Sequence, residues 1–116
     1  MSTYKKTHSL EERKEESELI RKRWPKRTPV ICEKDGKSSV PTIEKQKFLV
    51  PAEMTVAEFI FTIRKRISLT PNTALFIFIN NKVPSSGATI ASLYEKNKDQ
   101  DGFLYITYSG ENTFGI

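Results

Sequence analysis

Val56, Phe59, Ile60, Ile63 and Ile67 recur at i, i+3, i+4, i+7 and i+11, the spacing of one face of an α-helix. Thr55 and Glu58 form a capping box at its start, and Arg64, Lys65 and Arg66 complement the macrodipole in its last turn. The pattern predicts the core helix. Residues 9–24 predict a second helix, opened by a Ser9/Glu12 capping box and ended by Pro25. Its apolar positions are only Leu10, Leu19, Ile20 and Trp24, so it docks on a surface by a narrow stripe. Thr28-Pro29-Val30-Ile31-Cys32-Glu33-Lys34 reads as a strand followed by an Asp35-Gly36 turn. Residues 37–45 are polar and contain Pro41, which predicts a loop. Lys47-Phe48-Leu49-Val50-Pro51 is then a second strand, antiparallel to the first across that loop. Ala74-Leu75-Phe76-Ile77-Phe78-Ile79 is almost continuously apolar and reads as a central strand buried on both sides. Asn80-Asn81 turns the chain into a short return strand at Lys82-Val83-Pro84. Residues 89–94 predict a short helix, and Phe103 to Tyr108 a final strand. Residues 109–116 are polar and read as an exposed tail.

One helix followed by β-β-α-β-α-β suggests an α+β domain. The order suggests one mixed four-stranded sheet with helices on one face, the β-grasp or ubiquitin-like arrangement. The division is a helical extension over 1–26, a ubiquitin-like core over 27–108 and a tail over 109–116.

Composition narrows the chemistry. The 116 residues, 37% hydrophobic, suffice for one core. One cysteine excludes an intramolecular disulfide, and one histidine leaves little for a metal site. No apolar run is long enough to cross a bilayer, and the first residues do not read as a secretory signal, so a cytosolic protein is expected. Residues 21–66 carry twelve Lys/Arg against five Asp/Glu, while both flanks are near neutral. Such a middle favours an acidic partner (nucleic acid, anionic lipid or acidic peptide) or is simply a solvated face.

Nothing assembles a catalytic centre. His8 stands alone in a polar N-terminal stretch with no Cys or Ser motif beside it, Cys32 reads as a small buried hydrophobe, and no phosphate-loop, nucleophile-elbow, zinc-protease or dinucleotide motif is present. The chain is therefore expected not to be an enzyme. Two features point to function. The basic strand at 47–50 can take an extended peptide along its edge. Gly115, beside Phe114 and Ile116, has no side chain and suits a tail threaded into an enzyme cleft.

Ile20-Arg21-Lys22-Arg23-Trp24-Pro25, Pro29-Val30-Ile31, Lys47-Phe48-Leu49-Val50-Pro51, Phe59-Ile60-Phe61, Ile63-Arg64-Lys65-Arg66-Ile67, Ala74-Leu75-Phe76, Asn80-Asn81, Phe103-Leu104-Tyr105-Ile106 and Phe114-Gly115 follow in order along almost the whole chain. In these stretches the sequence resembles the autophagy ubiquitin-like modifiers, the GABA-receptor-associated-protein and microtubule-associated light-chain-three group. The resemblance implies two N-terminal helices on a ubiquitin-like core. It implies a cysteine protease that removes Ile116 and later acts in delipidation. Activating and conjugating enzymes then join Gly115 to phosphatidylethanolamine, the one covalent group expected, with no cofactor and no metal. Two acyl chains anchor a protein stably where one does not. The protein would be cytoplasmic, and on autophagosome or vacuole/lysosome membranes once lipidated.

The same resemblance implies binding of aromatic-x-x-aliphatic motifs on autophagy receptors. The aromatic pocket falls on Glu16, Ile20, Pro29, Ile31, Lys47, Leu49 and Phe103, and the aliphatic pocket on Phe48, Val50, Pro51, Met54, Phe59, Ile63 and Arg66. Thr62 departs from a larger apolar residue beside the aliphatic pocket, and Trp24 from a smaller aromatic. Microtubules enter as a further partner, nucleic acid does not. The alternative from another class is a non-conjugated module that binds tubulin or RNA through residues 21–66.

Overall fold

The structure, a computed structural model, describes residues 2–110. Its elements are α1 (Thr3–Thr7), α2 (Leu10–Arg23), β1 (Arg27–Lys34), β2 (Lys47–Pro51), α3 (Val56–Arg66), β3 (Phe76–Phe78), α4 (Ile90–Asn97) and β4 (Leu104–Ser109). The strands form one mixed sheet in the order β2-β1-β4-β3. The two inner strands, β1 and β4, run parallel, and β2 and β3 flank them antiparallel. This is the ubiquitin-like β-grasp with an N-terminal helical extension.

Both capping boxes form. Ser9 closes on Glu12 ahead of α2, and Thr55 on Glu58 ahead of α3. The hydrogen bonds to Ser9 and Thr55 hold the Glu12 and Glu58 carboxyl pKa values below the ordinary range. The 3.6-residue stripe of α3 delivers Val56, Phe59 and Ile63 into the main core. There they meet Val30, Cys32, Phe48, Val50, Leu104 and Ile106 from the sheet and Ile90 and Tyr94 from α4. The expectation of helices on one face holds for α3 and α4. The extension covers the opposite face, where Tyr4 of α1 and Ile20 of α2 pack on Ile31 and Phe103.

Three sequence expectations change. The apolar run 74–79 is not a central strand: β3 is three residues long and lies at the sheet edge, paired among the described residues with β4 alone. Leu75, Ile77 and Ile79 enter the core, and Phe78 is buried on the other side. Coverage of both faces makes the run apolar, and pairing order, which hydropathy does not encode, puts it at the edge. The strands buried on both faces are β1 and β4. Lys82-Val83-Pro84 is not a strand. Asn80 and Asn81 adopt φ of 51° and 64°, and one bridge, Ile79 to Lys82, closes the turn. Ser109 is not in a tail; it is the buried last residue of β4. The two N-terminal helices that the resemblance implies are both present, α1 standing before α2. No helix among the described residues is long and apolar enough to cross a membrane.

Candidate peptide-binding edge

Strand β2 pairs with β1 on one side and, among the described residues, with no strand on the other. Cys32 N–H donates to Gln46 O at 2.8 Å. Antiparallel pairs alternate between bonded and non-bonded positions, and Pro29, opposite Leu49, has no N–H to give. The main-chain groups of Lys47 and Leu49 therefore point away from β1, off the free edge. Arg27 already answers one of them, its Nη1 donating to Leu49 O at 3.2 Å.

Side chains of β2 alternate between two faces. Lys47 and Leu49 turn toward the N-terminal helices. Ile20, Ile31 and Phe103 gather there with Leu49, and Pro29 sits across from Leu49 in register. Pro29, Ile20, Ile31 and Phe103 are themselves buried, and Tyr4 packs with Ile20, Ile31 and Phe103, its ring 5.6 Å from that of Phe103. Lys47 Nζ meets Glu16 Oε1 at 2.6 Å across the mouth. Beside this pair is a cavity of about 350 Å³ lined by Tyr4, His8, Glu12, Glu15, Leu19 and the pair itself. The predicted aromatic-pocket residues are thus brought together, with a lid that sequence reasoning missed. Tyr4 was legible as an isolated aromatic near the start of the chain, but nothing local shows where it packs.

Phe48 and Val50 turn the other way, onto α3. The Phe48 and Phe59 rings meet edge to face at 5.8 Å, and the Arg66 guanidinium lies 5.4 Å over Phe48. Phe59, Ile63 and Val50 are core members, Met54 is half-buried against them and Pro51 is exposed. Thr62 spends its hydroxyl on Glu58 O at 3.0 Å, so it brings a satisfied polar group to this side of α3.

The family profile described as "Autophagy protein Atg8 ubiquitin like" matches residues 12–115. The chain belongs to the Atg8 family. It is 53% identical over 114 residues to autophagy-related protein 8 of Mycosarcoma maydis, covering 98% of this chain and 97% of that one. It is 55% identical, with the same coverage, to that of Penicillium rubens. The crystal structure of Trypanosoma brucei ATG8 superposes with a TM-score of 0.91 at 43% identity, covering 94% of each chain. Plasmodium falciparum Atg8 in complex with a Plasmodium falciparum Atg3 peptide superposes at 0.87 and 40% identity, covering 96% and 98%. As an Atg8 the protein is an autophagy ubiquitin-like modifier and not an enzyme.

In this Atg8 the N-terminal helices are clamped to the loop before β4. Lys5 Nζ meets Asp99 Oδ1 at 2.6 Å, and Arg13 Nη1 meets Asp101 Oδ2 at 2.7 Å. Asp101 is fully buried; it also accepts from the Phe103 N–H at 2.8 Å and from the Tyr105 hydroxyl. Burial and the Asp101 carboxylate raise the Tyr105 pKa. Burial works against the Asp99 carboxylate, but Lys5 and the Asp101 N–H outweigh it and hold its pKa below the ordinary value. From β1, Glu33 Oε2 accepts from Tyr4 N–H at 2.9 Å and from the Thr3 hydroxyl at 2.8 Å, tying down α1.

Several cations of the basic middle are occupied. Arg64 donates to the carbonyls of Thr70 and Thr73, Lys65 covers the Phe61 ring, and Lys34 donates to Ser38 O. Trp24 does not drive helix docking: it caps α2, its N–H on Ile20 O, and its side chain is exposed. Cys32 is fully buried and burial pushes its thiol pKa up, which suits a packed hydrophobe. His8 stacks on Tyr4 at 4.2 Å. Among the described residues no three His, Cys, Asp or Glu gather as a metal site. Phe114, Gly115 and Ile116 lie outside the described residues.

Proposed function

We propose that this Atg8 is cleaved after Gly115 by a cysteine protease and conjugated through Gly115 to phosphatidylethanolamine. Activating and conjugating enzymes carry out the transfer, and the protease later reverses it. The lipidated form sits on autophagosome and vacuole/lysosome membranes and the free form is cytoplasmic. There it gathers receptors that carry aromatic-x-x-aliphatic motifs. Within the family we place it with the GABA-receptor-associated-protein and light-chain-three group, on the sequence stretches quoted above. Residues 1–26 act as the extension, which adds Glu16 and Ile20 to the binding site, 27–109 as the ubiquitin-like core and 110–116 as the segment that bears the glycine. The Atg3 peptide bound by the Plasmodium protein supports a conjugating enzyme as a partner.

The observation that carries the binding half of this reading is the free edge of β2, with outward main-chain groups at Lys47 and Leu49 and apolar clusters on both faces. A peptide strand adds there by main-chain bonds, its aromatic anchor going toward Ile20, Leu49 and Phe103 and its aliphatic anchor toward Phe48, Phe59 and Arg66. Burying two anchors at about 1.5–3 kcal/mol each, against the cost of association, leaves micromolar affinity. Many copies on one membrane then turn weak contacts into retention.

Intact-mass analysis tests the covalent half. Incubation with the processing protease removes Ile116, and the conjugation enzymes with phosphatidylethanolamine vesicles then add one lipid. Titration of a Trp-x-x-Leu peptide tests the other half. Steeply salt-dependent RNA or tubulin binding that ignores Gly115 would favour the basic-module alternative.

A further inference from the structure

The apolar seat toward which an aromatic anchor would go already holds a ring of this chain. Tyr4 packs with Ile20, Ile31 and Phe103; Ile20 is 3% exposed, and Ile31 and Phe103 are 0% exposed. The Tyr4 ring meets that of Phe103 edge to face at 5.6 Å, and the His8 ring stacks on it at 4.2 Å. The cavity beside Tyr4 is no substitute seat. Glu12, Glu15, Glu16, His8 and Lys47 line it, with Leu19 and Tyr4 as its apolar walls. An indole placed there would lie against carboxylates and an ammonium group, whereas contact with Ile20 and Phe103 removes its apolar surface from water.

Tyr4 is also the buried residue of α1, a helix of five residues. A helix this short has no stability of its own. The rest of its hold is polar and near solvent. Glu33 Oε2 accepts from the Tyr4 N–H and the Thr3 hydroxyl, Gln46 Nε2 donates to Thr3 Oγ1 at 2.8 Å, and Lys5 meets Asp99. His8 and Ser9, which join α1 to α2, both have extended backbone, and Ser9 closes the capping box of α2. Release of α1 therefore does not require α2 to unwind.

We propose that Tyr4 is the chain's own occupant of the aromatic-anchor seat, and that a receptor peptide binds by displacing Tyr4 with α1 and placing its own aromatic ring there. This rests on the receptor-binding reading above. The exchange is aromatic for aromatic, so contacts with Ile20, Ile31 and Phe103 are regained, and the net cost is the polar hold on α1. That cost falls equally on every peptide that uses the seat. Tyr4 thus sets an affinity threshold and not a sequence preference: apparent affinity is reduced by the fraction of the chain that is open. Loosening α1 raises that fraction.

The test titrates an acidic-flanked Trp-x-x-Leu peptide into the full chain and into Tyr4→Ala, Tyr4→Phe and Glu33→Ala. Tyr4→Ala empties the seat and is expected to tighten binding about tenfold. Glu33→Ala leaves the seat intact but removes the acceptor that ties down α1, and should tighten binding about three- to tenfold. Tyr4→Phe keeps the ring and should match the parent. In the unaltered chain, saturating peptide should quicken hydrogen exchange at the Tyr4 amide, because its bond to Glu33 is given up. Unchanged or weaker binding by Tyr4→Ala overturns the proposal, since Tyr4 would then be a bystander or a wall of the seat. Should Tyr4→Ala fail to fold, Glu33→Ala and the Tyr4 amide decide: unchanged affinity with a protected amide overturns the proposal equally. Absence of binding by the parent and by every variant overturns the receptor-binding reading itself, a distinct result.

Discussion

Lys47 Nζ lies 2.6 Å from Glu16 Oε1, joining the first residue of the sheet's free edge to α2. Both side chains are more than a third exposed, so the pair contributes at most about 1 kcal/mol to folding. Its importance is positional, because it spans the mouth of the cluster that would seat an aromatic anchor. Lys47→Glu is expected to lower stability by about 1 kcal/mol, as two carboxylates replace the pair, and to weaken an acidic-flanked Trp-x-x-Leu peptide about tenfold or more, through like charge between the new carboxylate and the peptide's acidic flank. Leu49→Ala should cost the peptide about 1–2 kcal/mol of apolar contact. Calorimetric titration reads both, and superimposable isotherms for variants and parent would sink the mapping.

Gly115→Ala places a methyl group where the tail must thread an enzyme cleft. Loss of lipidation is expected, with peptide binding at β2 intact. Mass spectrometry after incubation with the conjugation enzymes decides it, and lipidation of the Gly115→Ala variant would refute the assignment.

Gly102 sits at φ +90°, and a Cβ there would overlap the Ser17 hydroxyl. Ser17 in turn donates to Asp101 O, within the clamp that holds α2. Gly102→Ala is expected to cost about 1–3 kcal/mol of stability from backbone strain and crowding. A denaturant melt measures it; a midpoint equal to that of the parent would show that α2 can retreat freely.

The Asp99 pKa is depressed in the folded state by Lys5 and the Asp101 N–H, with Arg13 nearby. A depressed carboxylate adds stability that is complete above its unfolded pKa and is lost as pH falls through the folded one. Acid should therefore loosen α1 and α2, while the range from pH 6 to 8 leaves this contribution constant. Asp99→Asn is expected to lower stability by about 1 kcal/mol at neutral pH, discounted for the exposure of Lys5. The gap between variant and parent should close below the ordinary aspartate range. Paired melts at neutral and acid pH check this, and a gap that stays constant would show that Asp99 is not responsible.

Local physics made much of the chain legible from residues alone. Capping boxes at Ser9 and Thr55, the 3.6-residue stripe of α3, the strand at 47–51 and the burial of Cys32 each depend on side chains within a few positions of one another. The likeness spread along the chain then pointed to the Atg8 family and to the residues around β2. What the sequence could not determine depends on partners far away in the chain. Within the run 74–79, Phe76–Phe78 form an edge strand because, among the described residues, β4 alone pairs with them, and hydropathy is blind to pairing order. Tyr4 covers Phe103, Asp101 receives Arg13, and Ser38 grips Gly110 across gaps of 99, 88 and 72 positions. Composition could count those groups. Only the folded sheet, with the N-terminal helices on one face and α3 and α4 on the other, decided which of them meet.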